Sequence, residues 1–268
     1  MPASLCRLLL PALVASGLAG CAGTPERGSG VYDPLEPVNR RIHAFNDGFD
    51  RVIARPVARA YDEVVPGTID RGVTNFFNNL DDVGVLINSI LQLKPRKSML
   101  TTHRLIFNTT LGLFGLIDVV GMMGGEKANE DFGQTLGYWG VGRGPYLVLP
   151  LLGPSNLRDG GGRIVDAQYD LVNAIEPDRD RYGAIALRAV DTRAGLLGAT
   201  DVLDTAAVDP YVFTREAFTR RRARQVHDGN PPPAALPPER GQADDGDFDP
   251  FADDDDDLFS DPPAGESQ

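Results

Sequence analysis

The sequence predicts a mainly α-helical single domain with a leader before it and an acidic tail after it. Three observations lead there. Apolar residues recur at spacings of three and four through most of residues 33–227, as one face of a helix requires. Pro and Gly punctuate those stretches at helix-like lengths. The charge is unevenly spread. Residues 228–268 hold 13 acidic side chains and one Arg, which is the whole net charge of −12, while residues 1–227 hold 25 of each sign. A neutral folded part without a basic face argues against nucleic acid as the partner.

The leader is a lipoprotein signal peptide over residues 1–20. Arg7 and the terminal amine supply a positive start. Leu8, Leu9, Leu10, Leu13, Val14 and Leu18 supply an apolar core too short for a membrane span. The small pair Ala19-Gly20 directly before Cys21 resembles the bacterial lipobox, which implies cleavage there and acylation of Cys21. An ordinary signal peptide with a chance cysteine is the alternative. Each buried methylene of an acyl chain contributes roughly 0.8 kcal/mol, so several chains together hold a protein on a membrane. Ala22 in place of Asp points to the outer membrane. Once Cys6 is lost with the leader, Cys21 is the one cysteine, which leaves no disulfide and no thiolate nucleophile. His43, His103 and His227 are scattered, so no zinc site and no cofactor beyond the lipid on Cys21 is expected.

Residues 21–32 read as a flexible tether of small and polar residues. At Asp33-Pro34 a helix is expected, with Asp33 as N-cap and Pro34 in the first turn. Leu35, Val38, Ile42, Phe45 and Phe49 form its apolar stripe. Pro56 and Pro66-Gly67 are expected to break the pattern. A helix with Ile69, Val73, Phe76, Phe77 and Leu80 follows, and then a second one capped by Asp81 or Asp82 and stopped at Lys94-Pro95. Residues 105–123 carry a single charge, Asp118, but Asn108, Thr109, Thr110, Gly112 and Gly115 oppose a membrane span. Two shorter helical pieces, buried or lying in one leaflet, are expected instead. Residues 121–162 are rich in Gly and Pro and read as a long irregular connection, of the kind that often carries function. Helices resume near 156–175, 183–197 and 210–226, the last opened by Asp209-Pro210. From Asp228 onward, Pro runs and an Asp run at 253–257 predict disorder.

Candidate chemistry is sparse. Gly140-Val141-Gly142-Arg143-Gly144 hints at a phosphate loop, but it lacks a Lys-Ser/Thr ending and Pro145 follows, so a glycine-rich turn is the better reading. Ser155 has no nearby His, and no Gly-x-Ser-x-Gly elbow exists. Asp245, Asp247 and Asp249 alternate as in a calcium loop, but Pro250 occupies the position that needs Gly. Arg220, Arg221, Arg222 and Arg224 close the last helix, either as a solvated match to its C-terminal dipole or as a contact for anionic lipid.

Several segments together resemble the MlaA (VacJ) family of outer-membrane lipoproteins. They include Asp33-Pro34-Leu35-Glu36-Pro37-Val38-Asn39-Arg40, Phe45-Asn46, Arg55-Pro56-Val57-Ala58 and Asn75-Phe76-Phe77-x-Asn79-Leu80. Further along come Phe107-Asn108-Thr109-Thr110-Leu111-Gly112, Asp131-Phe132-Gly133-Gln134-Thr135-Leu136-Gly137, Gly140-Val141-Gly142-x-Gly144-Pro145-Tyr146, Leu157-Arg158-Asp159 and Asp209-Pro210-Tyr211. The resemblance spans residues 33–211 in order. It implies a helical ring embedded in one membrane leaflet, the periplasmic leaflet of the outer membrane, enclosing an amphipathic channel and associated with trimeric porins. Such a protein takes misplaced phospholipid from the outer leaflet and passes it to a soluble periplasmic lipid-binding carrier, with no catalysis of its own. The channel and lipid-contacting residues expected on this reading are Phe45, Asn46, Gly140, Gly142, Gly144, Tyr146, Leu147, Leu149 and Leu152. A structural porin-associated lipoprotein and an envelope phospholipase or transacylase are the rival classes.

Overall fold

The computed structural model describes residues 31–237. The signal peptide over 1–20, the anchor Cys21, the tether as far as residue 30 and the tail from residue 238 lie outside them. Helix α1 (Glu36–Phe49) begins later than expected, with Leu35 at the cap position and no side-chain cap. Asp33 is not that cap. Its carboxylate accepts from Asn39 Nδ2 at 2.8 Å, from Arg215 Nη1 at 3.1 Å and from the Tyr211 hydroxyl. A charge-assisted cluster is worth more than a neutral cap bond, so Asp33 ties the first helix to the last.

Pro56 does not break the chain. A π-helical turn, Asp50–Ala54, carries α1 into α2 (Arg55–Val64), with Pro56 in the first turn of α2. The Arg55 N–H reaches back to the Asp50 carbonyl. The shifted ladder accommodates a residue that has no N–H to give. Helix α3 (Gly67–Leu91) is one continuous element where two were expected. Asp82 is not a cap but a fully buried mid-helix carboxylate. It is held at 3.2 Å by Arg104 of α4 (Pro95–Thr110), which also pairs with Asp118 at 2.9 Å.

The uncharged stretch 105–123 does divide. After α4 the backbone turns through Leu113, Phe114 and Gly115 at positive φ. A short helix, α5 (Val119–Met122), then starts on the Asp118 side-chain cap. The Gly/Pro-rich stretch is more regular than expected. Asp131 caps α6 (Phe132–Tyr138). Strands β1 (Tyr146–Leu149) and β2 (Gly153–Asn156) form an antiparallel hairpin with Tyr146 opposite Asn156 and Leu149 opposite Gly153. Helices α7 (Leu157–Tyr169), α8 (Asp178–Gly195), α9 (Leu197–Ala206) and α10 (Pro210–Val226) complete the chain. Helix α8 starts five residues before the expected position, and α9 was not anticipated. Asp209 caps α10 by accepting from the Tyr211 and Val212 N–H groups, as expected.

The hairpin seats a small core of Tyr146, Val148 and Tyr211, flanked by Val31, Ile42, Val212 and Phe218. Side chains of α1 complete its edge. Asn39 donates to the Tyr146 carbonyl at 3.0 Å and accepts from the Val148 N–H at 2.9 Å. Asn46, two turns further along the same helix face, donates to the Leu149 carbonyl at 2.9 Å and accepts from the Leu151 N–H at 2.8 Å.

The chain stays packed past residue 227. Asp228 takes Lys94 at 2.7 Å and Lys97 at 2.6 Å, and both lysines also bind Glu130. Pro237 is buried. The expected onset of disorder at 228 therefore does not hold for residues 228–237, because the lysines supply a site for the first acid of the tail. Removal of residues 238–268 should leave the melting temperature unchanged. Removal of 228–268 should cost about 1–2 kcal/mol, modest because Asp228 is partly solvated, and lower it by roughly 2–8 °C in a chain of this size. Thermal unfolding followed by circular dichroism checks this, and identical melting of the two truncations would deny residues 228–237 any role in stability.

Candidate functional site

Much of the apolar stripe of the first helix points outward. On α1, Val38 is 52% and Phe45 57% exposed, whereas Asn39 is 2% exposed. The pattern extends over the molecule. Among the described residues, eight hydrophobic side chains are buried against eighteen polar or charged ones. Val57 and Val64 on α2, Met99, Ile106 and Phe107 on α4, and Leu113, Phe114, Met122 and Met123 beyond it are all exposed. An apolar exterior of this extent marks an interaction surface. No helix among the described residues is long and apolar enough to cross a membrane.

The interior is held by polar networks instead. Gln92 donates to Glu130 at 2.8 Å and to the Thr135 hydroxyl at 3.1 Å, and Thr135 donates on to Asn88 at 2.8 Å. Arg222 of α10 forms the strongest cluster. It grips Asp131 with both terminal nitrogens at 2.6 and 3.0 Å and Asp159 through Nε at 2.8 Å. Burial pushes both carboxyls up, but the hydrogen bonds from Arg222 outweigh it and hold them below the ordinary carboxylate range. Arg222 is thus not a solvated helix end. It joins the α6 cap to α7, a partnership that the run of arginines in the sequence conceals.

Beside this clamp lies a cavity of about 770 Å³, open on one side. Its wall is the loop after α6, with one face of α10 and the segment at 234–235. Gly140, Gly142, Gly144 and Tyr146 line it. Val141, Phe218 and Val226 give it apolar surface, and Arg143, Arg158 and Arg222 give it positive charge. Among the described residues no carboxylate lines it. Gly140 and Gly144 have φ of +89° and +68°, a backbone that side chains rarely adopt. Gly142 has no such φ and open space where a Cβ would stand.

The other expected site residues lie elsewhere. Phe45 is 57% exposed on α1, away from the cavity, so substituting it removes exposed apolar area and leaves no core cavity. Asn46 is engaged with the backbone of the hairpin. Leu147 and Leu149 are half-buried on β1. Leu152, 65% exposed, stands at the hairpin tip with Leu151. Ser155 is buried and donates to the Asn156 carbonyl at 3.4 Å. Sequence reasoning missed Asn39, Asn88, Gln92 and Arg143. The spacing of Asn88 near the end of α3 and Gln92 at its C-cap was the available sign that a polar face turns inward.

Comparison with known proteins agrees with this arrangement. The family model described as MlaA lipoprotein matches residues 31–225. The intermembrane phospholipid transport system lipoprotein MlaA of Shigella flexneri is 39% identical over 219 residues, covering 80% of this chain and 86% of that protein. Its counterpart in Escherichia coli (strain K12) is 38% identical over the same length and shares. A solved MlaA structure, described as the structural basis for maintenance of bacterial outer membrane lipid asymmetry, is similar at a TM-score of 0.65 and 36% identity. The match covers 72% of this chain and 98% of that one. By sequence and by fold, the chain belongs to the MlaA lipoprotein family.

Proposed function

We propose that this protein is an outer-membrane lipoprotein, acylated at Cys21, that lies as a helical ring in the periplasmic leaflet and forms a phospholipid channel. It takes mislocalised phospholipid from the outer leaflet and delivers it to a soluble periplasmic carrier while held beside a trimeric porin. The observation that carries the reading is the inverted polarity of the helices, with amides and ion pairs inside and Val, Leu, Ile, Phe and Met outside. In water such an exterior is unfavourable by roughly 25 cal/mol for each Å² of apolar surface, whereas hydrocarbon solvates it at no cost. Helices among the described residues that are not both long and apolar enough to span suit a single leaflet. The names and description of the relatives, which concern intermembrane phospholipid transport and outer-membrane lipid asymmetry, support the same function.

The mechanism needs no covalent step. A headgroup crossing hydrocarbon unaided must be stripped of water, a large penalty. A passage with guanidinium and backbone polar groups on one part of its wall and Val141, Phe218 and Val226 on another accepts headgroup and acyl chain together. Irregular backbone at membrane depth is tolerated where it lines such a passage. The test is transfer of labelled phospholipid from a bilayer holding the lipidated protein and porin to purified carrier. Intact lipid on the carrier is the expected result. Hydrolysed lipid would mark an enzyme instead, and porin binding without any transfer would mark a structural lipoprotein.

A further inference from the structure

The cavity beside α10 holds a cation that pairs with no carboxylate among the described residues. Two of the three guanidiniums on its wall are occupied: Arg158 lies 2.9 Å from Asp159, and Arg222 binds Asp131 and Asp159. Arg143 makes one long bond, Nη1 to the Ala235 carbonyl at 3.4 Å, and pairs with no Asp or Glu among the described residues. It is only partly exposed. Burial and the nearby charge of Arg158 both hold its pKa below the ordinary value, and no carboxylate opposes them. An arginine nonetheless stays charged. The rest of its planar fork of donors is unclaimed, a geometry that matches a phosphate oxyanion. Among the described residues nothing stands within 4 Å of the Cβ positions of Gly140 and Gly142, so the approach is open. Apolar wall begins at the next residue, Val141.

We propose that Arg143 is the headgroup-selecting residue of this cavity, binding the phosphate of a lipid and favouring headgroups of net negative charge over zwitterionic ones. The preference follows from the lining. A zwitterionic headgroup brings an ammonium beside the Arg143 guanidinium, with no carboxylate among the described lining residues to receive it. A glycerol headgroup brings none. The proposal rests on the lipid-channel reading, but it is tested by binding alone, without porin or carrier.

The full-length protein in uncharged detergent is titrated with four probes: dihexanoyl phosphatidylglycerol, dihexanoyl phosphatidylcholine, dihexanoylglycerol and inorganic phosphate. Calorimetry and the fluorescence of Trp139, the one tryptophan of the chain, report binding. Phosphatidylglycerol should bind about five- to tenfold more tightly than phosphatidylcholine, the size of one charge-assisted contact. Arg143→Gln should erase that ratio, while both lipids keep the weaker affinity of dihexanoylglycerol. Arg143→Lys should restore part of it. Unchanged circular dichroism melting of the variants certifies the comparison; if Arg143→Gln melts lower, the Lys variant and the wild-type ratio decide. Equal affinity of the wild type for both phospholipids, or a ratio that survives Arg143→Gln, would overturn the proposal. Phosphate binding as tightly as phosphatidylglycerol would make this an ion site and overturn it too. Wild-type transfer of both lipids at equal rate, with equal affinity, would sink the selectivity while leaving the channel intact.

Discussion

Arg222→Ala should lower the stability of the protein by about 3 kcal/mol, the lower end of the range for removing one partner of a buried ion pair. Asp159 keeps Arg158 at 2.9 Å, and Asp131 is 37% exposed and partly screened by water, which is why the lower end applies. In a domain of this size the melting temperature should fall by roughly 6–12 °C. Arg222→Lys should lie between, because a single ammonium cannot bridge both carboxylates. Adding Asp131→Asn to Arg222→Ala should recover part of the loss. The pH dependence has a definite sign. Both carboxyls are held below their unfolded value, so the clamp contributes fully above about pH 4 and loses its contribution as pH falls through the lowered values. The gap between wild type and Arg222→Ala should therefore be flat from pH 5 to 8 and narrow below about pH 4. Equal melting of the two at pH 7 would deny the clamp its role.

The clamp also shows what sequence can and cannot convey. Helix positions were legible because a period near 3.6 survives whichever face turns inward. The direction of the face was not legible. Leu35, Val38 and Phe45 of the apolar stripe are exposed, yet Ile42 of the same stripe packs on the core and Asn39, on its flank, is the buried residue, pinning β1. In water the stripe faces in; where the exterior is apolar the same stripe faces out, and the pattern is identical in both cases. Interior partners were equally hidden. Asp131 and Arg222 are 91 residues apart, and Asp82 reads as a cap until Arg104 is placed beside it. The hairpin was masked by glycine and proline, since a four-residue strand between Pro145 and Pro150 leaves little periodicity to detect. The cavity wall was partly legible. The glycines of 140–144 and Tyr146 stood out as unusual, but Arg143 occupied the variable position between two glycines, where a motif gives no reason to look.

Transfer of phospholipid should fall by roughly tenfold or more in Gly142→Trp, while Gly142→Ala should transfer at the wild-type rate. The difference follows from the local geometry. Gly142 needs no left-handed backbone, and no atom stands within 4 Å of the Cβ position, so alanine fits without strain. An indole projecting from the same point fills part of a cavity of about 770 Å³ and competes with the lipid. Forcing a guest into overfilled space typically costs about 1–3 kcal/mol, of which 1.4 kcal/mol is already tenfold. Gly144→Ala is the contrasting variant. There φ is +68° and the Leu157 Cβ lies 3.0 Å from the new atom, so the backbone itself is strained and the melting temperature should drop. A backbone requirement thus marks Gly144 and free volume marks Gly142. The measurement is labelled-lipid transfer alongside thermal unfolding and porin co-purification, so that a misfolded or mislocalised variant is not mistaken for a blocked one. A stable, porin-bound Gly142→Trp protein that moves lipid at the normal rate would place Gly142 off the lipid path, and the passage would then have to run over another face of the helices.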